Sequence, residues 1–594
     1  MLENTLSTDF IPGTNLTGGL ARASWRFLLP NLELDRIVCF GVPAAATLNV
    51  IATMGKEMLV LSANAPQLDA VRKELDRQNV TLTHVTDFTR LPLPDKSVSL
   101  VFLAGKKELA NLLFDAVFPA ELDRLLKEDG AIYLEVKNLS ERSVARQMMQ
   151  NLAALGFKAR REYWLTPFKG ELRTAFPLDD RMSKYLFTNT LYGRSPKKRA
   201  LSRAGAMLSQ AGLLRRIVPR RAVFVQRAAT ATEKPMPPQY MTLLAKKQGV
   251  DLSAMSCGLS ARGKFNANKN IFYLFDAKGE KAKAVVKMTR APELNKRLEN
   301  EYRVLAKLHQ NSFVAKGTYP EPLFFGTHAG LAVLGQMAVY GEPFRSRTKA
   351  TIDCPIANDA LNWVVQLGIA SVNTVAATSV EVEAALTKLY RRFAEIYPLS
   401  NLEADFLSDQ IKMISRVARK FPLVFQHGDP GTWNMLVSPE NRVIVIDWEA
   451  GEPEGLPLWD LFYFLRTYGS WMSRAQSKKN PLQSFSQNFL EPSPLHALLL
   501  ATLKRYCDGV GLAADLISPL FYTCWMHRAL KESTRLQKDG LAKGTFFTLL
   551  RHCIEHRNTA ALQALFSLNQ GGDSSGSDHK ASVEIKQPKE NVVV

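Results

Sequence analysis

Cysteine is scarce in this chain. Its six residues, Cys39, Cys257, Cys354, Cys507, Cys524 and Cys553, are scattered through 594 positions without a Cys-x-x-Cys pair. That spacing argues against a disulfide framework and against a zinc site of paired thiolates, so a reducing, cytoplasmic setting is expected. Nowhere do eighteen apolar residues follow one another, and the opening Met1-Leu2-Glu3-Asn4 lacks the basic stretch and apolar core of an export signal. Neither a membrane span nor a leader is expected. No repeat at solenoid periods occurs. Acid is short relative to base: 56 Asp and Glu against 76 Lys and Arg leave a formal charge of +20. That excess favours anionic partners at long range.

What is present suits a large globular protein. Hydrophobic residues make up 46% and charged residues 22% of a chain too long for one usual core, so two or three domains are expected. Ala228 to Gln239, with Pro235, Pro237 and Pro238 and no apolar periodicity, reads as a linker, and the polar stretch from Asn569 reads as a disordered tail. The expected organisation is a lead segment 1–28, an α/β domain 29–228, a linker 229–240, a second domain 241–568 and a tail 569–594. Between Arg194 and Arg221 nine Lys or Arg occur without Asp or Glu, and Leu201, Ala204, Leu208, Ala211 and Leu214 recur at helical spacing. A basic amphipathic helix of this kind can lie on an anionic membrane surface or receive an acidic partner, or it can pack on its own domain with a solvated basic face. No nucleic-acid recognition motif accompanies the charge.

The most informative segment is His427-Gly428-Asp429-Pro430-Gly431-Thr432-Trp433-Asn434, followed by Asp447-Trp448-Glu449. It offers a base, an amide and a second carboxylate at the spacing used in kinase-type phosphoryl transfer, where a protein positions metal-bound ATP against a hydroxyl. Asn434 to Leu436 and Val443 to Ile446 flank a turn-like Ser438-Pro439-Glu440-Asn441, which predicts a hairpin centred between Glu440 and Asn441. Asn434 and Asp447 would then face each other, two oxygen ligands for Mg²⁺. Asp429 would accept the proton of the attacking hydroxyl, and His427 would brace the loop.

These residues resemble the signature of the aminoglycoside phosphotransferase and choline kinase group, a His-x-Asp-x-x-x-x-Asn motif followed by Asp-Trp/Phe-Glu, here His427, Asp429, Asn434, Asp447 and Glu449. Pro457 and Asp460 are similar to the segment that follows the metal loop in that group. The resemblance spans about residues 240 to 566. It implies a bilobal, kinase-like α+β fold with ATP and Mg²⁺, Asp429 as catalytic base, and Asn434 and Asp447 as metal ligands.

Such a fold needs a small lobe over the nucleotide. Asn270 to Phe275 and Lys281 to Met288 read as two strands, and Ala284-Val285-Val286-Lys287 resembles the strand that carries the phosphate-contacting lysine. On the following helical stretch, Glu293 to His309, Glu301 shares the inward stripe of Leu298, Leu305 and Leu308. A carboxylate facing inward needs a partner, and Lys287 is the natural one. Gly258 and Ser260, in Cys257 to Gly263, are candidates for a loop over the phosphates. Leu331 to Val339 is similar to the strand and hinge on which adenine rests.

Residues 29–228 carry their own resemblance. Strand-like runs Arg36 to Phe40, Glu57 to Leu61, Ser97 to Leu103 and Asp129 to Val136 alternate with helices, including Ala65 to Arg77, and imply a parallel sheet. The phrase Asp87 to Val101 with Leu125 to Gly130 resembles class I S-adenosylmethionine methyltransferases, a Rossmann-like fold. The turn after the first strand is Phe40-Gly41-Val42-Pro43-Ala44, where Pro43 removes a backbone donor, and the second strand ends in Leu61-Ser62-Ala63-Asn64 without an acid for the ribose. A binding or scaffolding domain is expected, with S-adenosylmethionine as the ligand to test.

Together these features predict an ATP-dependent phosphotransferase acting on a hydroxyl of a small molecule or a sugar or lipid-linked saccharide. The alternatives are a bifunctional methyltransferase-kinase acting on a glycan, and a pseudokinase scaffold for an anionic partner. The acceptor surface is expected from the helices after Ile356 and from about Leu495 to Leu565, where Asp405, Asp409, Trp525 and His527 are the polar or aromatic candidates.

Overall fold

The computed structural model describes residues 23–568 apart from 105–116, 137–140, 158, 167–171, 179, 186, 188–195, 214–219, 228–235, 264–267, 418–419, 476–479, 535 and 537. The expected lead segment up to residue 22 and the tail from Asn569 lie outside the described residues, as does most of the expected linker.

The N-terminal half is built on strands β1 (Leu34–Phe40), β2 (Gly55–Ser62), β3 (Val80–His84), β4 (Val98–Leu103), β5 (Leu126–Val136), β6 (Ala159–Thr166), β7 (Thr174–Pro177) and β8 (Arg221–Gln226). The first five run parallel in the order β3-β2-β1-β4-β5, and β8, β6 and β7 continue the sheet antiparallel. Ile37 to Phe40 and Leu100 to Leu103 are buried along their whole length, as central strands covered on both faces must be. The edge strand β3 alternates with Thr81 and Thr83 instead. The helix predicted from Ala65 to Arg77 stops at Arg72, because Leu68 is its single fully buried side chain.

The small lobe follows with β9 (Ser256–Ser260), β10 (Asn270–Phe275), β11 (Ala282–Met288), β12 (Pro322–His328) and β13 (Leu331–Met337). Its sheet is not separate. β7 pairs antiparallel with β9, Thr174 opposite Ser260 and Ala175 opposite Leu259, so one thirteen-stranded sheet runs from β3 to β12. Gly258 and Ser260 therefore sit inside a buried strand and not in a loop over phosphates, which corrects that expectation. Gly258 meets a packing need: a Cβ there would lie 2.8 Å from the Phe176 ring on β7. The residues 23–32 strap the same joint. Trp25 stacks on Tyr133 at 3.8 Å, and the Tyr240 hydroxyl donates to Phe27 O at 2.9 Å while its ring stacks on His328.

Five helices matter below: α1 (Pro196–Gln210), α2 (Gln239–Lys246), α3 (Asn295–Asn311), α4 (Trp459–Ala475) and α5 (Ile517–Ser533). α1 packs through small residues, Ser202, Ser209 and Gly205 against Phe187, and leaves Leu201 (74%) and Met207 (68%) exposed. Leu214 of the predicted stripe lies outside the described residues. α2, which carries Tyr240, starts within the expected linker and joins the shared core. α3 buries Leu298, Glu301, Leu305 and Leu308, the stripe read from the sequence, and Val304 besides.

The large lobe has two small sheets, β14 (Glu342–Pro343) with β17 (Met435–Val437) and β18 (Val443–Val445), and β15 (Asn373–Thr378) with β16 (Lys420–Gln426) and β19 (Glu452–Gly455), set among helices. The chain leaving β13 pairs with β17 through β14, tying the lobes beside the cleft. No helix among the described residues is long and apolar enough to cross a membrane.

Candidate active site

The loop after β16 is shaped by one buried carboxylate. Asp460, at the start of α4, accepts from His427 N–H at 2.6 Å and Gly428 N–H at 3.1 Å. Burial raises the Asp460 carboxyl, against the lowering pull of His427, Arg528 and these N–H donors. Gly428 has φ 74°, and a Cβ there would stand 1.8 Å from Ala450 O, so any side chain would displace the loop. His427 braces as expected: Nδ1 accepts from Asp429 N–H at 3.2 Å, and Nε2 lies 3.0 Å from Ile446 O, which makes Nε2 the protonated nitrogen.

Asp429 is held from two sides. Asn434 Nδ2 donates to its Oδ2 at 3.1 Å and to its backbone O at 2.9 Å, while Arg528 Nη1 of α5 stands 3.5 Å from Oδ1. The Tyr463 hydroxyl also meets Asp429, and burial first, then that carboxylate, pushes its ionisation up. With its amide nitrogen engaged, Asn434 keeps Oδ1 open among the described residues.

The hairpin is offset by one residue from the sequence expectation. Val437 pairs with Val443 and Met435 with Val445, and Ser438 N–H donates to Arg442 O at 2.9 Å, leaving a three-residue loop that ends in Asn441 at φ 62°. Asn434 thus faces Ile446, whose N–H donates to Asn434 O at 2.9 Å, and Asp447 does not stand opposite it. Asp447 leaves the strand in a left-handed conformation, φ 69°, a cost a non-glycine residue bears where surrounding contacts hold it.

Those contacts are two lysines. Lys287 on β11 is ion-paired with Glu301, which is wholly buried, and stands 3.9 Å from Asp447. Lys269, the residue before β10, reaches Asp447 at 2.7 Å, Glu301 at 3.1 Å and Glu449 at 2.9 Å, the last an ion pair without hydrogen-bond alignment. Burial alone would raise the acids and lower Lys269. The opposite charges outweigh it, so Asp447 and Glu301 lie below and Lys269 well above their ordinary ranges. Asn300 of α3 donates to Glu449 O at 3.1 Å and Gly451 O at 2.9 Å, fastening the acidic loop to the small lobe.

The structure brings Lys287, Glu301 and Asp447 into one cluster and Asp429 with Asn434 into another on the same loop system, while Gly258 and Ser260 stay in the sheet. Lys269, Asn300 and Arg528 were not foreseen. Lys269 had a faint signal as a lysine before a strand that follows glycine, and Arg528 with Lys531 forms an i, i+3 basic pair on α5. Of the acceptor candidates, Trp525 is buried in the core and His527 stacks on Trp459, so neither lines a surface. Asp405 and Asp409 are exposed, the latter 3.6 Å from Lys412. At the hinge, Met337 N–H donates to Glu321 O and Ala338 N–H to Lys283 O, so both donors are taken up by the sheet.

In the N-terminal half, Gly41 has φ 88° and donates to Leu61 O at 2.9 Å. Asn64 Oδ1, at the place of the missing acid, caps the next helix through Gln67 N–H, and Asp87 Oδ1 accepts from Thr89 N–H and its hydroxyl. With Pro43 in the turn, these residues do not make the usual S-adenosylmethionine cradle.

Comparison with known proteins agrees with both halves. Residues 264–485 match the phosphotransferase enzyme family, and residues 38–134 match a methyltransferase domain. None of the curated proteins matches the chain. Among solved structures, an aminoglycoside phosphotransferase from Streptomyces rimosus is 16% identical, covering 49% of this chain and 97% of that one at TM-score 0.29. A SAM-dependent methyltransferase from Aquifex aeolicus is 17% identical over 22% of this chain and 83% of that one, TM-score 0.18. Spermidine synthase from Thermotoga maritima is 11% identical over 40% and 67%, TM-score 0.24. On its two family matches and its own topology, the chain joins a methyltransferase-like Rossmann fold to a kinase-like fold of the aminoglycoside phosphotransferase type.

Proposed function

We propose that the protein transfers the γ-phosphate of ATP to a hydroxyl of a small molecule or saccharide. The acceptor oxygen forms a bond to the γ-phosphorus as the bond from that phosphorus to the β–γ bridging oxygen breaks, Asp429 takes the hydroxyl proton, and ADP leaves. Lys287, oriented by Glu301, contacts the phosphates. The reading is carried by the buried Lys287–Glu301 pair converging on Asp447, since two charges are rarely buried at such cost unless they serve a site.

Asn434 and Asp447 would hold Mg²⁺, which neutralises phosphate charge when bound. The donor set fits: hard oxygens only, an open amide oxygen, and two carboxylates that already hold a cation, the Lys269 ammonium, at 2.7 and 2.9 Å. With Mg²⁺ held there, Lys269 would lose its place on Asp447 and its ammonium would be available to the phosphates.

The test is ATP consumption across a panel of hydroxyl acceptors with wild type and Asp429→Asn side by side. Turnover is expected to fall about 10²-fold or more in the variant, the usual worth of a positioned base. Equal turnover would remove Asp429 from the mechanism. The exposed Leu201 and Met207 on α1 favour peripheral contact with an anionic membrane, which sedimentation with anionic against neutral vesicles would read.

A further inference from the structure

On the side of Asp429 turned away from Asn434, α4 and α5 present three cations whose partners are incomplete. Arg528 is buried with its guanidinium 3.4 Å from the centre of the Tyr463 ring. Its closest carboxylate oxygen, Asp429 Oδ1, is 3.5 Å away, too long for the bidentate pair a buried guanidinium usually makes. Lys531, one turn further along α5, makes a single 3.5 Å bond to Gly428 O and no ion pair among the described residues. Arg466 of α4 lies 4.7 Å from the Phe546 ring centre, also without an ion pair among the described residues.

The carboxylates facing these cations are Asp429, Asp460, Glu452 and Glu532. Asp460 is engaged by the His427 and Gly428 N–H groups, and Glu532 Oε2 accepts from Phe546 N–H at 2.9 Å. Glu452 keeps a buried oxygen without a partner, and burial pushes its carboxyl up to about 7 against the pull of Lys531, so near neutrality it is partly uncharged. Burial and the neighbouring Arg528 lower both Lys531 and Arg466, the sign of cations crowding one another. Trp433, 44% exposed and edge-on to Tyr463, offers an apolar platform beside them.

Cations gathered without a matching set of carboxylates disfavour one another, and a ligand that brings negative charge removes that cost. Lys269, Lys287 and Asp447 lie on the nucleotide side, so the group that meets Arg528 on the far side of Asp429 belongs to the acceptor. Resting on the phosphotransferase reading, we propose that the acceptor is anionic: a hydroxyl compound bearing a carboxylate or phosphate, with that group held by Arg466, Arg528 and Lys531 and its accepting hydroxyl on Asp429.

The test is calorimetric titration of the full chain with four compounds of one ring skeleton, glucose, glucosamine, glucuronate and glucose 6-phosphate, with Mg²⁺ and a non-hydrolysable ATP analogue present. One or both anions are expected to bind at least tenfold more tightly than glucose and glucosamine, and the two anionic arms tell carboxylate from phosphate. Lys531→Gln and Arg466→Gln, both at half-buried positions, are expected to weaken the anion about tenfold each. Lys531→Glu should reverse the order in favour of glucosamine, an outcome a merely structural role would not produce. No anion preference, or a preference the substitutions leave untouched, overturns the proposal. The phosphotransferase reading fails separately, if the ATP analogue does not bind or binds equally to Asp447→Ala.

Discussion

At the scale of single residues, Glu301 has the largest expected effect on stability. It is wholly buried and pairs with both Lys269 and Lys287, so Glu301→Gln would leave two ammonium groups with Asp447 and Glu449 between them. Breaking a buried pair from one side typically costs about 3–5 kcal/mol. Urea unfolding of Glu301→Gln against wild type is expected to show a loss of that order, whereas Lys296, exposed on the same helix, should tolerate Gln with little change. Glu452 gives a pH signature. Its folded carboxyl is raised from 4.5 to about 7 by burial, beside Lys531, Arg528 and Asp460, so the folded state holds a proton the unfolded chain has released. The stability this contributes is fully present below pH 4.5 and is lost as pH rises through about 7. The stability of wild type relative to Glu452→Gln should therefore fall between those pH values and level off above them, as read by denaturant unfolding at each pH. A flat difference would mean that the carboxyl titrates normally.

At the scale of elements, the joint between β7 and β9 depends on a missing side chain. Gly258→Val would push a branched carbon into the Phe176 ring, 2.8 Å from where a Cβ would stand. Overpacking of this kind costs about 1–3 kcal/mol. Because the two positions touch, Gly258→Val with Phe176→Ala should destabilise less than the sum of the single changes, which a double-mutant cycle measures. The hairpin carries a different lesson. Its strands were legible from apolar runs around a turn, but its register was not, since a left-handed Asn441 turns an even loop into a three-residue one and shifts every pair by one. Asp447 still reaches the lysines through its own positive φ, so the acidic loop, and not the strand pairing, aims the carboxylate.

At the scale of the molecule, a shared sheet and a shared core couple the methyltransferase-like half to the small lobe. Trp25, Tyr133 and Phe224 from one side are continuous with Tyr240, Phe272 and Val286 from the other. Scanning calorimetry of the full chain is accordingly expected to show these two parts unfolding in one transition. Separate transitions for the N-terminal half and the small lobe would mean the joint contributes little. An attachment of this kind lets anything bound by the N-terminal half bear on β10, which Lys269 immediately precedes, and on β11, which carries Lys287.

Sequence alone determined the pieces whose geometry is local. Asp429 and Asn434 lie five residues apart on a loop that His427 and Gly428 shape, Glu301 falls on the inward stripe of its helix, and Lys287 stands on a strand marked by its resemblance to the kinase lysine strand. The tertiary structure alone decided what is brought together from far apart. Lys269 meets Asp447 across 178 positions, Arg528 meets Asp429 from the last helices of the large lobe, and β7 meets β9 edge to edge. A free strand edge or a lysine in a loop carries no mark of its partner in its own neighbourhood. Only the packing of the helices and the closure of the sheet choose that partner.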